Sequence, residues 1–331
     1  MAVAGPASML VRSAQPQGPP YDLDDWRRLH LLSRADTIYG GSQAIQLGIT
    51  AERARPAQGE AMTEESTPPR PVPPPGHHLL AGKVVVVTAA AGVGIGSATA
   101  RRCLEEGASV VLSDQHGVRL AAFADELAGE YGERVWSLPC DVTDEQAVTA
   151  LIEGAVGHFG RIDVMINNAG LGGTSSVLEM TDQEWFRVLD VTLTGTFRCM
   201  RAALRQMVTQ GAGGAGRGGV VVNNASVLGW RAQPGQAHYA AAKAGVMALT
   251  RCAALDVASH GIRVNAVAPS LVPHPFLTRV MDTDLLAQME RDEAFGRGAE
   301  PWEVSTVIVF LASDYSSYLT GEVISVSSQH P

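Results

Sequence analysis

The sequence predicts an α/β fold: an open, doubly wound parallel sheet of about seven strands with helices on both faces, three layers in one domain. Two observations predict it. Short apolar, β-branched runs such as Val84–Val87 read as strands buried on both faces, as strands of parallel sheets are. These runs alternate with longer helical segments, the pattern of repeated strand–helix–strand units.

The first unit carries the clearest signal. Strand Lys83–Thr88 runs into A-A-A-G-V-G-I-G and then a helix over Ser97–Glu106, closed by Gly107. A strand, a glycine-rich turn and a helix N-terminus form a phosphate-binding device. The glycines admit a close backbone approach, and the first helical N–H groups face the anion. Such a turn also serves simply to join a strand to a helix. The next strand, S-V-V-L-S, ends at Asp114, 18 residues after Gly96. An acid at that distance accepts hydrogen bonds from an adenosine ribose and repels a 2′-phosphate, which favours NAD over NADP. Its alternative role is to cap the following helix. Arg119 is the nearest basic residue.

The alternation continues through strand 134–138, which leads to Asp141 and Val142, and helix 144–159. Strand 162–166 is closed by N-N-A-G, Asn167–Gly170, where a flat cofactor could lie against backbone. A continuous helical stretch is expected over 182–210, with Trp185, Phe186, Leu189, Leu193, Phe197 and Leu204 on a recurring face. G-A-G-G-A-G-R-G-G (211–219) is a surface connection. Strand 220–222 then leads to Ser226, and a helix follows to about His260. Strand 262–267, helical residues to about Glu293, a helix over 301–313 opened by Pro301, and strand 322–326 complete the reading.

Ser226 to Lys243 carries the chemistry. Tyr239 and Lys243 are four residues apart, hence on one face of a helix. A phenol with an ordinary pKa of about 10 is a poor base at neutral pH, and a fixed positive charge lowers that value. A nearby serine hydroxyl could hydrogen-bond the oxygen that exchanges the proton, which suits alcohol/carbonyl chemistry. Y-x-x-x-K alone is common. Here the chain has only two lysines, Lys83 and Lys243, and arginine everywhere else. A compact ammonium kept at this position is not interchangeable with a guanidinium.

Composition excludes several classes. The 331 residues are 46% apolar and 18% charged, with a net charge of −9, which opposes binding to nucleic acid or an anionic membrane. Four scattered cysteines, Cys103, Cys140, Cys199 and Cys252, suit neither a disulfide framework nor a metal site. The expectation is a cytoplasmic protein without metal, since no apolar run reaches membrane-spanning length. Residues 1–80 are proline-rich, culminating in T-P-P-R-P-V-P-P-P-G, and are expected to form a disordered extension ahead of a domain over 81–331. One short helix could form over 25–33. Met62, just ahead of the folded region, is a candidate translation start.

With these parts in order, residues 80–331 resemble the short-chain dehydrogenase/reductase family, whose Rossmann-like domain places the cofactor site first. The resemblance implies Ser226 orienting the substrate oxygen, Tyr239 as general acid/base, and Lys243 lowering the tyrosine pKa and holding the nicotinamide ribose. It also implies Thr88, Gly92, Gly94 and the Ile95 amide at the pyrophosphate, Asp114 at the adenosine ribose, and Asp141 and Val142 at the adenine. Asn168, Ala169 and Gly170 would line the cofactor, and the long helices would pack in a homotetramer or homodimer. Three departures stand out. The turn Thr88–Gly96 has one extra residue and lacks its first glycine, Thr192 replaces an asparagine that orders a water leading to the lysine, and His274 replaces a threonine near the nicotinamide.

N-N-A-S-V-L-G-W-R-A-Q, the glycine turn and the S-V-S-S-Q-H-P ending are similar to an actinobacterial branch associated with breakdown of the last two steroid rings. That branch implies a hydroxy-methyl-oxo-hexahydroindane carboxyl-CoA substrate. In the residues themselves, the apolar segment 271–276 and Trp230 suggest a bulky hydrophobic one. Two other readings use the same residues: a 3-oxoacyl thioester reductase and a non-catalytic NAD-binding sensor.

Overall fold

The computed structural model describes residues 71–211, 218–273 and 283–328, all within one compact unit, Thr67–Pro331. The seven strands are β1 (Val84–Val87), β2 (Ser109–Leu112), β3 (Val135–Ser137), β4 (Val164–Asn167), β5 (Val220–Asn224), β6 (Arg263–Pro269) and β7 (Val323–Val326). They form a single sheet in the order β3-β2-β1-β4-β5-β6-β7, with every neighbouring pair parallel. The helices are α1 (Ile95–Glu105), α2 (Gly117–Tyr131), α3 (Glu145–Phe159), α4 (Asp182–Leu189), α5 (Gly195–Gly211), α6 (Ala237–Val257), α7 (Thr283–Asp292) and α8 (Pro301–Ala312).

The apolar runs have a simple cause. Side chains alternate across a strand, and both faces here are covered. Val85 and Val87 join one core cluster with Leu104, Leu127 and Ile308, while Val84 and Val86 join the other with Leu151, Met165 and Val264. A strand buried in this way has no polar face to show, so V-V-V-V is what the fold demands. Strand order reverses between β1 and β4, and the crevice beyond the strands' carboxyl ends at such a switch point is where ligands bind in open α/β sheets. Thr88, Asp114, Asn168 and Ser226 all follow the ends of their strands at that edge.

Two local features differ from the sequence reading. The stretch expected as one helix over 182–210 is interrupted by a π-helical turn at Asp190–Thr194, which carries Thr192. Phe186 and Phe197, read on the recurring face of that stretch, are exposed. Order also begins upstream of residue 81. Glu106, fully buried, pairs with Arg102 at 2.7 Å and accepts the backbone N–H groups of His77 (2.8 Å) and Leu79 (3.0 Å). Arg102 Nη1 also donates to the Pro74 carbonyl at 2.6 Å, and Leu80 is completely buried. A buried charge pair needs its remaining valences satisfied, and the upstream backbone supplies partners for all but Arg102 Nε. Residues 1–70, with Met62 and the possible helix over 25–33, lie outside the described residues, as do 212–217 of the glycine-rich connection.

Candidate active site

The glycine turn distributes its roles unevenly. Ala89 and Gly92 have φ of +49° and +129°, so the chain bends where only glycine is comfortable at the second position. Gly94 is the N-cap of α1, and its N–H donates to Ser97 Oγ at 3.1 Å. Gly96 is a packing residue. A Cβ there would lie 2.2 Å from the Ala89 carbonyl oxygen and 2.5 Å from Asn168 Nδ2. A Cβ at Gly94 meets nothing within 4 Å, and no acid occupies the first turn of α1. The first-turn N–H groups of α1 therefore face an open, anion-compatible space.

Thr88 holds the turn to β4. Its buried hydroxyl accepts the N–H groups of Asn168 and Ala169, each at 3.0 Å. Asn168 Nδ2 returns hydrogen bonds to the carbonyls of Thr88 (3.1 Å) and Ala89 (3.2 Å). Asp114 is 4% exposed, and its Oδ1 accepts both the His116 N–H at 2.9 Å and Arg119 Nη2 at 3.2 Å. Among the described residues no such bond falls on Oδ2. Asp141, by contrast, is exposed and closes a local turn by accepting the Thr143 N–H and hydroxyl. Val142 is buried against Gly195.

Ser226, Tyr239 and Lys243, the three residues expected to handle the proton, come together at the carboxyl end of β5. Ser226 opens a short 3₁₀ turn, its Oγ accepting the Leu228 N–H at 3.2 Å, and it acts on the Tyr239 phenol in the direction of a lower pKa. Lys243 is 3% exposed, donates to the Asn224 carbonyl at 2.5 Å, and lies 5.5 Å from the centre of the Tyr239 ring. Burial pushes the Lys243 ammonium down to about 8. It also pushes the Tyr239 phenol above its ordinary value, with Ser226 opposing. Burial sets the direction for the phenol, because a buried phenolate loses more hydration than Ser226 returns.

Thr192 is fully buried, and its hydroxyl serves the backbone of Leu171. Its hydroxyl accepts the Leu171 N–H at 2.9 Å and donates to the Leu171 carbonyl at 3.0 Å. It therefore clamps the segment after β4, where a Cβ on Gly170 would sit 3.5 Å from Lys243 Nζ and one on Gly172 would sit 3.8 Å from the Tyr239 ring. Bare backbone here leaves the space over tyrosine and lysine unfilled.

Trp230 is 43% exposed and lines an open cavity of about 530 Å³ with Val177, Leu228, Gln233 and Gln236. Neither Ser226 nor Tyr239 lines that cavity, so it does not bring Trp230 together with them. Leu271 and Val272, expected against substrate, are 7% exposed and turned inward, with Val272 in the core and Leu271 accepting the Ala299 N–H. His274 lies outside the described residues. Two residues escaped the sequence reading. His238 is 1% exposed, and its Nδ1 accepts the Tyr239 N–H at 2.9 Å. Asn224 holds the lysine through its carbonyl. Their only sequence signal was adjacency to the tyrosine and the serine.

The family described as Enoyl-(Acyl carrier protein) reductase matches residues 89–328. A (5R,7aS)-5-hydroxy-7a-methyl-1-oxo-2,3,5,6,7,7a-hexahydro-1H-indene-carboxyl-CoA reductase of Mycobacterium tuberculosis is 62% identical over 77% of this chain and 96% of its own. The chain is a short-chain dehydrogenase/reductase. It is an oxidoreductase that acts on a hydroxyl or ketone group with a nicotinamide cofactor. A cis-4-hydroxycyclohexanecarboxylate dehydrogenase of Sinomonas cyclohexanicum is 42% identical over 75% of this chain and 96% of its own. A 3-oxoacyl-[acyl-carrier-protein] reductase of Thermotoga maritima is 38% identical over 75% and 97%. The crystal structure of a short chain dehydrogenase from Mycobacterium smegmatis superposes with a TM-score of 0.69 at 57% identity, covering 79% of this chain and 98% of that one. Among the described residues, no helix is long and apolar enough to cross a membrane, no metal-holding cluster occurs, and the four cysteines are unpaired.

Proposed function

We propose that this chain interconverts a secondary alcohol and a ketone on a bulky bicyclic, steroid-derived CoA thioester, using NAD in preference to NADP, in the cytoplasm and as a homotetramer or homodimer. The observation that carries the chemistry is the buried Lys243 ammonium 5.5 Å from the Tyr239 ring, with Ser226 acting on the same phenol and the bare backbone of Gly170 and Gly172 beside the pair. The substrate class rests on the 62% identical relative, whose own substrate is a hexahydroindene-carboxyl-CoA.

The residues present fit a nicotinamide dinucleotide. The Gly92–Gly94 turn and the Ile95 amide at the open N-terminus of α1 would hold its pyrophosphate. Asp114, with Oδ2 free of such a bond, would accept the adenosine ribose hydroxyls, the basis for preferring NAD. Asp141 and Val142 would border the adenine, Thr88, Asn168, Ala169 and Gly170 would wall the site, and Tyr239 and Lys243 would meet the nicotinamide ribose. When bound, the dinucleotide supplies or takes up the hydride. Ser226 hydrogen-bonds the substrate oxygen and aims it at Tyr239. In ketone reduction Tyr239 gives its phenolic proton to that oxygen, and in alcohol oxidation it takes the proton back. Lys243 supports the phenolate by its charge, and Thr192 keeps the 170–173 backbone in place.

The test is initial rates for the full chain with NADH and NADPH on hydrindane CoA thioesters, simple cyclic ketones and linear 3-oxoacyl thioesters. The reading predicts preference for NADH and the bicyclic thioesters. Preference for linear thioesters would move the enzyme to the chemistry named for its Thermotoga maritima relative.

A further inference from the structure

Position 224 ends strand β5 after three buried valines, Val220–Val222, and a buried Asn223 whose amide is bonded to Asn167 and Thr250. At 224, where the side chain has no such pairing for its oxygen, a branched aliphatic residue would be the undemanding choice. It is instead an asparagine, and its side-chain oxygen is buried with no hydrogen-bond partner among the described residues. An orphaned buried acceptor costs stability, so its retention calls for a reason beyond packing.

The bonds around it supply one. Asn224 Nδ2 donates to Asn168 Oδ1 at 2.9 Å. Asn168 Nδ2 donates to the Thr88 and Ala89 carbonyls, directly behind the glycine turn, and stands where a Cβ on Gly96 would strike it. The backbone carbonyl of the same Asn224 accepts Lys243 Nζ at 2.5 Å. The orientation of both amides follows from this arrangement. Two carbonyls face Asn168 Nδ2, so its oxygen must face Asn224, which must then present its own nitrogen. The result is one chain of hydrogen bonds from the turn that faces the cofactor's phosphates to the ammonium that serves the tyrosine.

We propose that Asn224 is a positioning residue that couples the glycine turn to Lys243, its side chain fixing Asn168 beneath the turn while its carbonyl holds the ammonium. The inference rests on the assignment of Tyr239 and Lys243 made above. Cofactor binding and proton transfer therefore share one support, and loosening it impairs both.

The experiment compares wild type, Asn224→Leu and Asn224→Asp in the full chain. It measures thermal midpoint, NADH dissociation constant by protein fluorescence, and the pH profile of kcat. Asn224→Leu removes the donor, and about one hydrogen bond's worth of loss, roughly 5- to 10-fold, is expected in NADH affinity. The ionisation that limits alcohol oxidation is expected at higher pH, since a less firmly held lysine supports the phenolate less. In Asn224→Asp an ionised carboxylate would face the Asn168 oxygen. Its NADH affinity is expected to fall at neutral pH and recover as the acid protonates and regains a donor. Should Asn224→Leu fail to fold, that recovery alone decides the matter. Affinity and pH profile equal to wild type in the leucine variant, or an aspartate variant with no recovery, would overturn the proposal. A wild type that binds NADH yet turns over no ketone or alcohol would instead refute the functional assignment beneath it.

Discussion

Lys243 Nζ stands 5.5 Å from the centre of the Tyr239 ring while it donates a hydrogen bond to the Asn224 carbonyl. The lysine is thus held by backbone and makes no hydrogen bond of its own to the phenol among the described residues. With burial pushing the ammonium to about 8 and the phenol above its ordinary value, the lysine is charged and the tyrosine protonated at neutral pH. That is the state of a proton donor. Ketone reduction is expected to be level through neutral pH and to decline as pH rises through about 8, where the lysine loses its charge. Alcohol oxidation, which needs the phenolate, is expected to rise over the neutral range. Initial rates in both directions against pH test this, and reduction that climbs with pH would contradict it.

Burial of Lys243 has a consequence for stability. Its folded pKa lies below the ordinary lysine value, so the unfolded chain binds the proton more tightly. The resulting penalty is full below about pH 8 and is relieved as pH rises toward the unfolded value. Lys243→Met removes a charge that the fold disfavours. It is expected to stabilise the protein at pH 7, on the order of 1–3 kcal/mol, while removing turnover. The stability gain should shrink at strongly alkaline pH. Denaturation at the two pH values measures it, and a lower midpoint at pH 7 would show that the Asn224 bond outweighs the burial penalty.

Thr192 satisfies both polar groups of the Leu171 backbone. Thr192→Val keeps the shape and orphans them, a loss of about 1–3 kcal/mol. Cofactor affinity should weaken with it, because the 170–173 segment forms the wall beside Lys243 and Tyr239. Thr192→Ser keeps the hydroxyl and should fall between the two. Thermal midpoints and dissociation constants for both variants check the clamp, and a valine variant indistinguishable from wild type would remove it from the account.

Asp114, on which the proposed preference for NAD rests, is paired with Arg119, whose guanidinium nitrogen Nε would lie 3.9 Å from a Cβ on Gly92. Asp114→Ala should weaken NAD binding by about 10- to 100-fold, the worth of hydrogen bonds to a charged group. The same change frees a cation near the position of a 2′-phosphate, so NADP affinity should rise. Titration with both dinucleotides decides it. NADP affinity unchanged would mean that Arg119 cannot reach.

Most of the fold was legible because a parallel sheet covered on both faces imposes a local signature, and Val84–Val87, Val110–Leu112 and Val220–Val222 display it. The closeness of Tyr239 and Lys243, the proposed reactive pair, was legible because they are neighbours on one helix. What stayed hidden depended on residues far apart in the chain. The π turn at Asp190–Thr194 leaves the helical periodicity of its flanks intact, and its purpose lies at Leu171, 21 positions away. Asn224 reads as a polar strand end until Asn168 is placed beside it. Leu271 and Val272 are apolar in either role, and only the packing of Ala299 and the core turns them inward. Spacing identified the lysine's partner but not the depth of burial, which sets the direction of both pKa shifts.

The most direct test of the central claim is Tyr239→Phe, assayed for ketone reduction and for NADH affinity in the same preparation. The variant loses one hydroxyl and keeps the ring above the lysine. The account predicts kcat lower by about 10²–10⁴-fold, the usual worth of general acid catalysis, with the dissociation constant for NADH and the thermal midpoint close to wild type. Turnover retained within a few-fold, or lost together with NADH binding and folding, would contradict it and make the tyrosine a structural residue.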